Sequence, residues 1–210
     1  MNIFLEKKIL KIDSMLRLFF VEPHAPVQPN PAKSHCEKKN WSDVQYQQSK
    51  GQMRINHTGE ICAQALYNGH YDHRHDVKMK NWLQHAAEEE YDHLVWCHQR
   101  LKELNTQPSL LNPFFYTCSY LMARFLSRVN AKMNLAFIKE TEKQVEAHLN
   151  SQLTLLQHDQ RSCEIIKQMI IDERKHHDHA VDFGGQDMPV MISKLMGIAA
   201  GLMKNIAFYF

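Results

Sequence analysis

Apolar residues recur at three- and four-residue steps along most of this chain. The clearest run is Leu135, Ile138, Glu142, Val145, Leu149 and Leu156, a single stripe with one acidic residue inside it. A second stripe, Met79, Leu83, Ala86, Glu90, His93, Cys97, Leu101 and Leu104, carries an acid and an imidazole in the same seam. A third holds Cys163, Ile166, Ile170, Glu173, then His176 or His177, and Ala180. The least regular is Met53, Asn56, Glu60, Ala63 and Tyr67. Together these patterns predict four helices, over residues 44–70, 77–104, 128–156 and 159–183. The seven Pro lie near the N-terminus and at Pro108, Pro113 and Pro189, so nothing interrupts them.

The segments outside the four stripes have their own character. Residues 1–20 place Ile3, Leu5, Ile9, Ile12, Leu16 and Phe19 near helical spacing and lack the continuous apolar core of a secretory signal, so they predict an amphipathic helix packed on the rest. Residues 21–40, VEPHAPVQPNPAKSHCEKKN, predict an extended linker. The expected organisation is therefore an N-terminal helix and Pro-rich linker over 1–40 and one helical domain over 41–210. Between the second and third helices lies a long apolar connection, NTQPSLLNPFFYTCSYLMARFLS, with a helix expected after Pro113. The C-terminal MPVMISKLMGIAAGLMKNIAFYF is equally apolar, but Lys194 and Lys204 interrupt it. It predicts an interfacial or bundle-covering helix, because no stretch has the roughly 18 to 20 uninterrupted apolar residues that a span requires.

The polar residues inside the stripes follow a repeated order. A solitary Glu60 precedes Glu90 and His93 by 90 − 60 = 30 residues, and a solitary Glu142 precedes Glu173 and His176 by 173 − 142 = 31. Glu and His three residues apart share a helix face. Two helices giving one Glu each and two giving Glu-x-x-His are the ligand set of a dinuclear site in a ferritin-like four-helix bundle, whose one long crossover the apolar connection would supply. Burying ionised carboxylates without partners costs several kcal/mol or more, so four of them need compensating cations. Oxygen-rich donors with few imidazoles suit iron or manganese. The solitary Glu residues can bridge or terminate, and Glu89 and Asp172, each just before a paired Glu, can orient the imidazoles from outside. His177 and His179 leave the last ligand ambiguous by pattern, although the Glu-x-x-His spacing selects His176. The GHYDHRH stretch (His70, His73, His75) reads as a polar interhelix loop, and the eleven Met as core filler.

Composition narrows the classes further. At 210 residues, 44% hydrophobic and 23% charged, the chain fits one domain with a substantial core. A net charge of +2 with no basic run interleaved with aromatics excludes a nucleic-acid partner. Five Cys with no C-x-x-C argue against a disulfide framework and for a reducing compartment. No G-x-G-x-x-G follows a strand pattern, so electrons for any redox chemistry must come from elsewhere.

Four stretches, MRINHTGEICAQALY (53–67), EEEYDHLVWCHQRLKEL (88–104), FIKETEKQVEAHL (137–149) and IDERKHHDHA (171–180), closely resemble demethoxyubiquinone hydroxylases, with NHTGE and ExDHLxWC the most specific. The likeness runs from about residue 41 to the C-terminus. It implies an all-α, ferritin-like enzyme that hydroxylates the ring of a demethoxyubiquinol or demethoxyubiquinone precursor with O2 in ubiquinone biosynthesis. The implied ligands of two iron ions are Glu60, Glu90, His93, Glu142, Glu173 and His176. His148, also matched, is implied to assist electron or proton movement. The reductant would be NAD(P)H-derived, supplied through a reductase, directly, or through the quinone. A polyprenyl quinone substrate implies peripheral membrane association through one or both apolar segments, on the cytoplasmic side of a bacterial inner membrane. Partners from the same biosynthesis and a homo-oligomer are left open. The same six ligands also serve ferritin-like iron oxidases and peroxide scavengers, and a non-catalytic helical membrane adaptor is the alternative from another class.

Overall fold

Long runs of helix-compatible sequence between few Gly and Pro become long helices. The computed structural model describes residues 13, 15–19, 21–36, 40–71, 77–129 and 131–210, and no strand occurs among them. The elements are α1 (Asp43–Tyr71), α2 (Val77–Glu103), α3 (Asn112–Val129), α4 (Ala131–Leu155), α5 (Gln160–Asp182) and α6 (Val190–Tyr209), with a 3-10 turn at Pro31–Ser34. The four expected bundle helices are α1, α2, α4 and α5, and the crossover helix is α3. The third bundle helix starts later than the expected residue 128, because α3 continues to Val129. Residues 13 and 15–19 are helical, whereas the rest of the expected N-terminal helix, along with His73 and His75, lies outside the described residues.

Pairings across the bundle fix its directions. Gln64 on α1 reaches the carbonyl of Ala87 on α2, and Tyr46 reaches that of Leu104, so these helices are antiparallel. Arg100 meets Asp159 while His93 meets Asp172, which makes α2 and α5 antiparallel too. Gln152 bonds Asn56 and Tyr67 bonds Glu142, so α4 runs against α1. The crossover α3 instead climbs parallel to α1. Thr58 bonds Asn112 at its start, and Gly69 lies against Ala123 and Tyr120 further up. That climb returns the chain to the end from which α4 must descend.

Local signals stop the helices where the bundle needs turns. Asp159 caps α5, its carboxylate accepting from Ser162 N at 2.9 Å. At the far end Gly184 adopts φ +89°, with Gly185 N bonded to Ala180 O and Gly184 N to Val181 O, both at 2.8 Å. The same paired bonds close α2 around Asn105 at φ 48°.

Two apolar layers fill the bundle. One contains Trp96, Leu101, Leu149, Ile165, Ile166 and Met169; the other contains Tyr67, Leu83, Ala86, Leu135, Ile138 and Ala180. The seam acids Glu60, Glu90, Glu142 and Glu173 fall between them along each helix.

The Pro-rich segment forms a strap fastened along α2. His24 stacks on Tyr91 at 4.2 Å, the Asp92 carboxylate accepts from Val27 N at 2.8 Å and Gln28 N at 2.9 Å, and Asn30 donates to Gln99 at 2.8 Å. Ala32 is fully buried in the first core layer. At the other end of the chain α6 lies against α1, with the Phe208 ring seated over Gly51 and the Phe208 carbonyl accepting from Arg54 at 2.7 Å. Its outer face leaves Met191, Leu195, Ile198 and Leu202 exposed. Among the described residues α6 is the one helix long and apolar enough to cross a membrane, with mean hydropathy 1.3 over its best window.

Candidate metal centre

All six residues of the repeated order converge. Glu60 comes from α1, Glu90 and His93 from α2, Glu142 from α4, and Glu173 and His176 from α5; each is at least nine-tenths buried. Their donor atoms form two groups, Glu60, Glu90, His93 and Glu173, and Glu90, Glu142, Glu173 and His176, with all atoms of a group within 4.8 Å of one another. Glu90 and Glu173 belong to both groups. Of the four carboxylates, the paired Glu residues are thus common to both groups, whereas the solitary Glu60 and Glu142 each belong to one. The helix geometry explains this: α2 and α5 face each other across the centre, and each brings its Glu, one turn from its own imidazole, to 3.2–3.9 Å from the opposite one.

The imidazoles present Nδ1 inward and Nε2 outward. His93 Nδ1 lies 3.4 Å from Glu90 and 3.9 Å from both Glu60 and Glu173, and His176 Nδ1 lies 3.2 Å from Glu90 and 3.9 Å from Glu173. On the outer side, His93 Nε2 meets Asp172 at 3.2 Å and His176 Nε2 meets Glu89 at 2.8 Å. Each acid preceding a paired Glu therefore orients the imidazole of the opposite helix, which fixes ring rotation and raises the basicity of the inward nitrogen. Asp172 is itself held by Gln168 at 3.0 Å and Lys175 at 2.8 Å. His177, by contrast, pairs with Asp178 near the surface at 3.1 Å and belongs to neither group.

The protonation pattern shows what the centre requires. Burial, reinforced by the charge of Glu90, pushes Glu60 well above the ordinary carboxylate range, and burial does the same to Glu173 and raises Glu142. Burial also acts on Glu90, but the close approach of the His176 and His93 rings outweighs it and holds Glu90 low. Burial would lower the imidazoles; Asp172 and Glu90 instead lift His93 to about 9, and Glu89 and Glu90 lift His176 to about 10. Four acids this close cannot all be ionised unaided, so protons stand where cations would. Glu60 Oε2, both oxygens of Glu90, Glu173 Oε2 and the Nδ1 atoms of His93 and His176 are buried with no hydrogen-bond partner. Orphaned, inward-facing donors of this kind fit two metal ions.

His148 stands outside both groups, six residues beyond Glu142 on α4 and so roughly 9 Å further along its axis. Its Nε2 lies 3.2 Å from the Gln152 amide, which also donates to Asn56 at 2.9 Å, one turn before Glu60. His70, assigned by pattern to a polar loop, is instead fully buried in the last turn of α1.

Two buried residues of consequence escaped the pattern reading. Tyr67, counted there only as an apolar stripe position, donates its phenol hydrogen to Glu142 Oε1 at 2.9 Å. Its place seven residues after Glu60 was the available signal, since that spacing returns to the same helix face. Asp92, which anchors the strap, lies between two cluster ligands and is the Asp of the ExDHLxWC stretch, but neither its position nor that pattern points to the strap.

Known proteins resemble this chain over nearly its whole length. The family model described as ubiquinone biosynthesis protein COQ7 matches residues 47–207. A protein named 3-demethoxyubiquinol 3-hydroxylase from Francisella tularensis subsp. novicida (strain U112) is 41% identical over 208 residues, covering 99% of this chain and 98% of that relative. Proteins of the same name from F. tularensis subsp. tularensis (strain WY96-3418) and subsp. mediasiatica (strain FSC147) are each 40% identical over the same coverage.

Proposed function

The chain belongs to the ubiquinone biosynthesis protein COQ7 family, and from that premise we propose that it is a monooxygenase hydroxylating the ring of a demethoxyubiquinol or demethoxyubiquinone precursor with O2 at a pair of iron ions. The observation that carries this reading is the pair of overlapping donor groups sharing Glu90 and Glu173. Glu60 and His93 complete one ion's ligands, Glu142 and His176 the other's. When bound, the iron pair supplies the reduction of O2 that ring hydroxylation requires.

The chain's own residues do the rest. Asp172 and Glu89 hold the two imidazoles in the tautomer that leaves Nδ1 free to ligate. The apolar layers on either side keep bulk water from the reacting centre. His148 is a relay for protons or electrons. Burial, together with nearby Lys204, pushes it down to about 4 and keeps it neutral, and Gln152 links it to Asn56 beside Glu60. The reducing equivalents are NAD(P)H-derived and arrive from outside, through a reductase, directly from the reduced nicotinamide, or through the quinone itself.

The substrate carries a polyprenyl tail, and the exposed apolar faces of α6 and α3 (Phe114, Leu121 and Phe125 on the latter) support peripheral attachment to the cytoplasmic side of a bacterial inner membrane. Residues 41–210 form the catalytic unit and residues 1–40 an appended segment, of which residues 24–32 are strapped onto it. The test is to supply this gene to a bacterial strain blocked at the hydroxylation and to analyse its lipid extract. Ubiquinone should reappear with the wild-type gene and be absent with Glu142→Ala. Accumulated demethoxy precursor with a folded, expressed wild-type chain would refute the assignment.

A further inference from the structure

The two metal positions share two carboxylates and have matching outer supports for their imidazoles, yet their terminal carboxylates are held differently. Glu142 is tied: Tyr67, only 2% exposed, gives its phenol hydrogen to Glu142 Oε1 at 2.9 Å. The Tyr67 ring cannot drift, because it is wedged edge-on between His176, 6.0 Å away with planes at 69°, and Trp82, 6.5 Å away at 81°. Glu60 has no phenol or other neutral tether of that kind among the described residues, and its Oε2 is buried with no hydrogen-bond partner.

We propose that Tyr67 is a positioning residue that makes the two metal positions unequal, with the Glu142–His176 position the tighter and the first to fill. This rests on the two-metal reading above. A carboxylate with one oxygen fixed by a neutral donor presents the other at a set direction, so an ion arriving there orders little that is not ordered already. At the other position Glu60 must give up its rotamer freedom when the ion binds. His93 and His176 are both braced by outer acids, so the imidazoles do not create the difference. The hydroxyl of Tyr67 does. Removing an outer partner of a metal ligand typically weakens binding about 10- to 100-fold, which sets the size of the effect. The Glu60–His93 position is also the one able to change its coordination without breaking a tether to its terminal carboxylate.

The test uses the full chain stripped of metal and titrated with Mn2+, following free and bound ion by electron paramagnetic resonance and heat by calorimetry. The wild-type chain should take up two ions in steps at least about tenfold apart. Tyr67→Phe, which removes one oxygen atom and keeps the ring, should weaken the tighter step by about 10- to 100-fold and leave the weaker step in place. Trp82→Phe, which loosens the wedge behind the ring but keeps the phenol, should weaken the tighter step by clearly less than Tyr67→Phe does and leave the weaker step in place. Equal steps in the wild type, unchanged steps in Tyr67→Phe, or equal losses in Tyr67→Phe and Trp82→Phe would each overturn the proposal. Circular dichroism of the metal-free protein checks that each variant folds, and equal steps in the wild type overturn the proposal whether or not a variant does. A wild-type chain that binds fewer than two ions would defeat the two-metal reading itself, an outcome distinct from two ions bound equally.

Discussion

The strap on α2 makes a quantitative claim about Asp92. This side chain, 2% exposed, accepts from the backbone of Val27 at 2.8 Å and of Gln28 at 2.9 Å, one bond to each oxygen. Hydrogen bonds to a charged acceptor contribute about 1.5–3 kcal/mol each when both partners are sheltered. The two amides are only partly buried and water can replace some of the loss, so Asp92→Ala should cost about 2–3 kcal/mol in all. Asp92→Asn tests the direction of the bonds at constant shape: one oxygen still accepts, while the amide nitrogen turns a donor toward a donor. Its cost should be about half or more of that of Ala. Hydrogen exchange gives the decisive readout. The Val27 and Gln28 amides should be protected in the wild type and exchange freely in Asp92→Ala, and the urea midpoint should fall with them. Identical exchange at both amides, with an unmoved midpoint, would refute the claim that this carboxylate holds the strap.

Two further tests probe helix packing and pH response. A Cβ at Gly69 would sit 2.7 Å from the Ala123 Cβ and 3.0 Å from the Tyr120 carbonyl, whereas one at Gly59 would meet nothing within 4 Å. Gly69→Ala should therefore push α3 off α1 and cost about 1–3 kcal/mol, and Gly59→Ala should stabilise by about 0.5–1 kcal/mol through helix propensity; thermal unfolding distinguishes them. His57 is buried against His98 and Asn112, and burial, then the His98 charge, pushes it from an ordinary 6.5 to about 3. Because the unfolded chain takes up this proton first, stability is fully present above about 6.5 and falls toward 3 by on the order of 1.4 kcal/mol per pH unit. His57→Gln should flatten the urea-derived stability profile between about pH 6.5 and 4, and an unchanged slope would count against a neutral buried His57.

The heptad-like stripes made much of the bundle legible. Glu90, Glu142 and Glu173 lie in apolar seams that can only face a core, and a carboxylate there demands a cation, so site and fold were read from one pattern. The placing of Glu89 just before Glu90, and of Asp172 just before Glu173, was readable as outer support. That each acid would serve the opposite helix was not, since that depends on how α2 and α5 face each other. The direction of α3 was illegible for a similar reason: its start is set by Asn112 meeting Thr58 and His57, contacts between residues more than fifty positions apart. The strap was hidden because Pro-rich sequence signals an absence of helix and says nothing of what surface it lies on. Tyr67 was hidden by its own ambiguity, since an apolar ring with a polar tip satisfies a core stripe whether or not the tip has work to do.

The crossed support of the imidazoles bears on what half of this molecule can be. A hairpin of α1 and α2 alone would possess a carboxylate, a Glu-x-x-His pair and an outer acid, yet its Glu89 would have no inward-facing ring to brace and its His93 no brace. Only a second hairpin, turned to face it, closes both deficits at once. The smallest self-sufficient unit is therefore a reciprocal couple, and damage to either member is felt first in the other.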